Sequence, residues 1–123
     1  MTNLESLRSL QKRIRESKGV DPRLDRDIAF ALTDWTLSSQ ELPPIFTADP
    51  DGLGPCVALM REVLPGWYWH KNGFGFSIGK YVEDGFCPQF SAVHLANYCL
   101  TFLDAIFSAL IAQEKAKEKA DAV

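Results

Sequence analysis

The chain has 123 residues, a net charge of −3, 46% hydrophobic residues and 24% charged ones, which suits one globular domain with a single core. No global basic field draws in nucleic acid, and the negative balance is too small for a charge mimic of DNA. Three cysteines, Cys56, Cys87 and Cys99, with no Cys-x-x-Cys pair, argue against a disulfide framework.

Residues 1–18 are charged and lack an apolar run, so no signal peptide is expected, and the protein is read as cytoplasmic with reduced thiols. Leu4, Leu7, Leu10 (or Gln11) and Ile14 recur at helical spacing and predict an amphipathic helix over 3–18. Lys18-Gly19 supplies its basic last turn and a terminating glycine. Residues 1–26 carry seven Lys/Arg and four acids, a net of +3, and the remainder carries six and twelve, a net of −6. The basic helix, with Arg8, Lys12 and Arg15, is a candidate contact for nucleic acid or an acidic surface; the plainer reading is a solvated helix face.

Asp21-Pro22 opens a second helix, since Asp caps and Pro suits the first turn. Leu24, Ile28, Ala31, Leu32 and Trp35 form its stripe, which fades near Ser38. Residues 38–55 read as a connector, held extended by Pro43-Pro44 and anchored to the core by Ile45-Phe46. Asp49-Pro50 looks like a third helix start, with Leu53, Cys56, Val57, Met60, Val63 and Leu64 as the stripe and Pro65-Gly66 as the stop. Asp49 and Asp51 read as capping residues.

Asn72-Gly73 predicts a hairpin over 67–80 with a type I′ turn. That turn sets Lys71 opposite Phe74, His70 opposite Gly75, Trp69 opposite Phe76 and Tyr68 opposite Ser77. One face then carries Trp67, Trp69, Phe74, Phe76 and Ile78 and should pack on a helix. A base-stacking platform would need these rings exposed among basic residues, and only Lys71 and Lys80 are near. The other face carries Tyr68, His70, Gly75, Ser77, Gly79 and Tyr81. Its glycines let a partner approach closely, so Tyr68, His70, Gly75 and Tyr81 are the candidate binding residues.

Residues 83–91 read as a loop, and a third strand could come from 81–87 or 43–48. The last helix is placed at about 91–115, followed by a charged, mobile tail at 116–123. His94, Asn97, Thr101, Asp104 and Ser108 make one narrow polar stripe on that otherwise apolar helix. They also interrupt it too often for a membrane span. Such a helix is either the centre of the fold or partly a homodimer contact.

No Walker loop, dinucleotide fingerprint, His-Glu-x-x-His or Gly-x-Ser-x-Gly is present. Cys56, His70, Cys87 and His94 match no standard zinc spacing, and a Cys–His nucleophilic pair drawn from them is no better supported. His94 and Asp104 are ten residues apart, about 15 Å along a helix, too far to touch. Neither a cofactor, a metal nor an enzymatic activity is expected.

The stretches SKGVDPRLDRDIAFAL (17–32) and FTADPDGLGPCVALMREVLPGWYW (46–69), followed by a hairpin and an apolar last helix, resemble a group of uncharacterised small phage and prophage proteins of alphaproteobacteria. Arg23, Leu24, Asp25, Phe46, Thr47, Leu64, Pro65, Gly66 and Trp67 carry the likeness. Tyr98, Phe102 and Phe107 depart from it, standing where that group tends to alanine. The resemblance implies a phage accessory protein that binds a host or phage macromolecule, in a host-modulating or anti-defence role. Together these readings give an α+β class: one domain over 1–115, with helices packed on a small antiparallel sheet.

Overall fold

A computed structural model describes residues 4–38, 40–48, 53–73, 75–83, 85–93 and 95–121. It holds four helices, α1 (Leu4–Glu16), α2 (Pro22–Leu32), α3 (Leu53–Val63) and α4 (Tyr98–Asp121), and three strands, β1 (Tyr68–Asn72), β2 (Gly75–Val82) and β3 (Gly85–Val93). The strands form one antiparallel sheet in the order β1-β2-β3. The α+β class read from the sequence is therefore the observed one.

The core is built around α4. Apart from half-buried Ser108, every residue from Cys99 to Ile111 is buried. One side of α4 meets the sheet, where Phe102 packs on Trp69 and Phe76 with ring centroids 5.5 and 4.8 Å apart. Its other sides meet α1 and α3. The α1 stripe is as the spacing predicts, with Leu7, Leu10, Gln11 and Ile14 buried.

The polar stripe on α4 has a local explanation for each described member. Asn97 caps the helix, its Oδ1 accepting from the Leu100 amide at 2.8 Å. The Thr101 hydroxyl donates back to the Asn97 carbonyl at 2.9 Å. Gln11 of α1 donates to Asp104 Oδ1 and to Ser108 Oγ, both at 2.9 Å. His94 lies outside the described residues. At Asp104 and Ser108 the stripe is a seam between α1 and α4, and a buried polar group without such partners would be costly.

Three boundaries differ from the sequence reading. First, α2 stops at Leu32, because Thr33 turns extended at φ −128° and ψ −179° and its hydroxyl donates to the Ala29 carbonyl. Trp35 leaves the helix, and its indole N–H donates to the Glu41 carbonyl at 3.0 Å. Second, 85–93 is a strand where a loop was expected, and α4 starts at Tyr98, not near residue 91. Pro88 made the segment look irregular, but an edge strand tolerates the missing N–H. Third, α4 stays helical through Asp121, well into the stretch read as a mobile tail. The expected caps Asp49 and Asp51 lie outside the described residues.

The connector is half as expected. Phe46 is buried, but Ile45 is 52% exposed. What holds the connector is Asp25 of α2. Its Oδ1 accepts from the Phe46 and Thr47 amides at 2.9 Å each, and its Oδ2 accepts from the Thr47 hydroxyl at 3.2 Å. The Asp21 amide donates to Thr47 Oγ1 at 2.8 Å, and Asn97 Nδ2 donates to the Thr47 carbonyl at 2.8 Å. Burial raises the Asp25 pKa above the ordinary 3.8, with the bonds from Phe46 and Thr47 opposing the rise.

Candidate functional site

The hairpin register differs from the expected one. Asn72 pairs with Gly75, Lys71 with Phe76, His70 with Ser77, Trp69 with Ile78 and Tyr68 with Gly79. His70 therefore does not sit opposite Gly75. Asn72 is drawn into the ladder, and Gly73, at φ +55°, takes the left-handed turn position that few other residues adopt readily. Phe74 lies outside the described residues. The physical reason is tertiary: Phe76 packs on Phe102 and Tyr98 of α4, and β3 extends the pairing of β2 back to Gly75.

The face assignment survives this change. Moving the turn by one residue moves every cross-strand partner by two, and side chains alternate with period two. Trp67, Trp69, Phe76 and Ile78 thus stay on the inner face, under α4. Lys71 and Lys80 belong to that side too, with Nζ atoms 4.2 Å from the Tyr98 ring centroid and 5.4 Å from that of Trp67.

The opposite face has no helix on it among the described residues, since α4 packs against the Trp69 and Phe76 side. Here Tyr68 and Tyr81 stand 51% and 54% exposed. Their rings meet edge to face at 4.7 Å between centroids, and Tyr81 OH lies 3.1 Å from His70 Nε2. Tyr81 stands four residues beyond the direct partner of His70, about 13 Å along the strand. It closes that gap by leaning back along β2 over Gly79. The strip that looked bare in the sequence is covered by a tyrosine. Ser77 and Ser91 share a hydrogen bond at 2.9 Å beside this group.

Of the candidate residues, the structure brings Tyr68, His70 and Tyr81 together. Gly75 lies on the same face, at the turn end of the sheet. Arg8, Lys12 and Arg15 lie on α1, and α4 separates α1 from the sheet. Arg15 Nε bonds Asp104 Oδ1 at 2.8 Å, and the neighbouring Arg13 pairs with Asp27 at 2.6 Å. Part of the positive charge read into the basic helix is thus matched by local acids, while Arg8 and Lys12 stay exposed.

The thiols are dispersed. Cys56 and Cys99 are buried, whereas Cys87 is exposed on β3. The Cys56 thiol donates to the Phe46 carbonyl at 3.3 Å, and the neighbouring Cys99 thiol together with burial pushes the Cys56 pKa far up, which keeps it a protonated, unreactive thiol. Among the described residues no group of three His, Cys, Asp or Glu side chains comes together as a metal site, and no helix is long and apolar enough to cross a membrane. No family model, curated protein or solved structure matches the chain.

The sequence reading missed the Asp25–Thr47–Asn97 node. Asp25, Thr47 and Asn97 lie far apart along the chain and meet only in the fold, so no local spacing marks them. Their work is to fasten the connector, which places them in the architecture and away from the exposed tyrosines.

Proposed function

We propose that this is a small non-enzymatic accessory protein that binds another protein through the helix-free face of its sheet. The observation that supports this best is the Tyr68–Tyr81–His70 cluster. It holds two exposed aromatic rings beside the uncharged Ser77, Gly79, Pro88 and Ser91, with Arg61 of α3 lining a pocket next to Tyr68. Interfaces concentrate tyrosine and deplete charge at their centres, and a tyrosine gives a large contact area for the loss of only two side-chain torsions. The resemblance to phage and prophage proteins suggests the setting, a cytoplasmic protein that modulates or counters a host macromolecule.

A nucleic-acid reading through Arg8, Lys12 and Arg15 has less support, since Arg15 is engaged by Asp104. A homodimer through α4 also has less support, because its apolar residues from Cys99 to Ile111 are already buried within one chain. The test is partner capture with Tyr68→Ala, His70→Ala and Tyr81→Ala. Each should lose capture while keeping a wild-type circular dichroism spectrum. Unchanged capture by all three contradicts the proposed surface.

A further inference from the structure

A second feature of the sheet lies along its edge and not on its face. Strand β1 pairs with β2 alone, so its other edge has no strand on it. A cleft of about 250 Å³ is lined by Met60 and Arg61 of α3 and by Gly66, Trp67, Tyr68 and Trp69. Side chains of successive strand residues point to opposite faces. A cleft that touches Trp67, Tyr68 and Trp69 together therefore follows the edge of the strand and neither face. It is the free edge, because Ile78 and Gly79, the β2 partners of Trp69 and Tyr68, are not among its walls.

The charge at this edge is one-sided. Arg61 is exposed and makes no ion pair among the described residues. Lys80 is exposed too, likewise without an ion pair among them, and its Nζ lies 5.4 Å from the Trp67 ring centroid. Among the described residues no carboxylate lines the cleft. Arg13 and Arg15, by contrast, are both matched by acids. The approach is clear at Gly66, whose φ is +84° and where a Cβ would have no neighbour within 4 Å.

From this we propose that the cleft accepts an extended, acidic segment of the partner protein. The segment adds to the free edge of β1 as a further strand, and its Glu or Asp side chain meets Arg61. Strand addition draws affinity from main-chain hydrogen bonds and specificity from side-chain pockets. An unpaired edge offers those donors and acceptors. The planar guanidinium of Arg61 suits a carboxylate, which it can hold with two parallel hydrogen bonds. The proposal rests on the protein-binding reading above, with which it shares Tyr68, and adds the chemistry of what the partner brings.

The test titrates the ¹⁵N-labelled full-length protein at low ionic strength with acetyl-Thr-Val-Glu-Val-Thr-amide and with its Glu-to-Gln counterpart, following backbone amides and arginine Nε–H signals. The acidic peptide should give saturable shifts at Gly66, Tyr68 and the Arg61 Nε–H, and should bind about tenfold more tightly than the neutral one. Arg61→Gln should bind the acidic peptide about tenfold more weakly with an unchanged melting temperature, since its side chain is exposed. Lys115→Gln makes the same charge change at an exposed position of α4 and should bind that peptide like the wild type. The proposal is overturned if the acidic peptide does not bind, if the two peptides bind alike, if the shifts map away from Gly66 and Tyr68, or if Arg61→Gln binds undiminished. Partner capture by the tyrosine variants separates this proposal from the reading beneath it. Lost capture with no preference for the acidic peptide supports that reading and overturns this proposal. Retained capture with an Arg61-dependent preference overturns that reading and supports this proposal.

Discussion

Asp25 shows how a single side chain decides where a long connector runs. Three donors converge on its carboxylate, and it is 3% exposed. Asp25→Ala leaves two amides and a hydroxyl without that acceptor and should cost about 3 kcal/mol by urea denaturation. Asp25→Asn keeps an oxygen for the two amides and should cost less. The pH dependence has a definite sign. The folded pKa is raised, so the native state holds the proton more tightly than the unfolded chain does. The stability from this group is fully present below pH 3.8 and is lost as pH climbs through the raised native value. Wild type should therefore lose ground relative to Asp25→Asn as pH rises above 3.8, read as the difference between their urea midpoints. A constant difference across that window contradicts the assignment.

At the scale of elements, β2 and β3 meet at a bulge between Ile78 and Gly79, and Gly79 is the residue that permits it. A Cβ there would run into the Cys87 carbonyl and the Pro88 Cα, both of which are backbone and cannot turn aside. Gly79→Ala should destabilise the protein by about 3 kcal/mol, seen as a lowered melting temperature and faster amide exchange in β3. The α1–α4 seam makes a second prediction. Gln11 binds Asp104 and Ser108 together, so Gln11→Ala and Ser108→Ala should be non-additive by roughly 0.5–1 kcal/mol in a double-mutant cycle. Full additivity would mean that the bond at 2.9 Å contributes nothing.

These elements also mark what the sequence makes readable. The α1 stripe and both faces of the hairpin follow from periodicity alone, which is local. The turn position does not, because the packing of Phe76 on α4 outweighs the intrinsic preference of Asn72-Gly73. Strand β3 was obscured by Gly85 and Pro88, residues that suit an edge and a bulge but resemble a loop when read singly. The cluster of Tyr68, His70 and Tyr81 was readable as a face. The lean of Tyr81 over Gly79 was not, since it depends on side-chain reach across the sheet.

Across the whole molecule, α4 is enclosed between the sheet and α1, with α3 alongside. This arrangement sets the basic helix and the exposed tyrosines on opposite sides of one core, so a single experiment can separate them. The deciding measurement is quantitative affinity capture from nuclease-treated extract of the source cells, comparing wild type with Tyr68→Ala/Tyr81→Ala and with Arg8→Ala/Lys12→Ala, each first shown to be folded. Binding through the sheet face predicts that the wild type and the α1 variant recover the same protein partner after nuclease treatment, and that the double-tyrosine variant loses it. Retention by the double-tyrosine variant, or loss on nuclease treatment or in the α1 variant alone, contradicts that account.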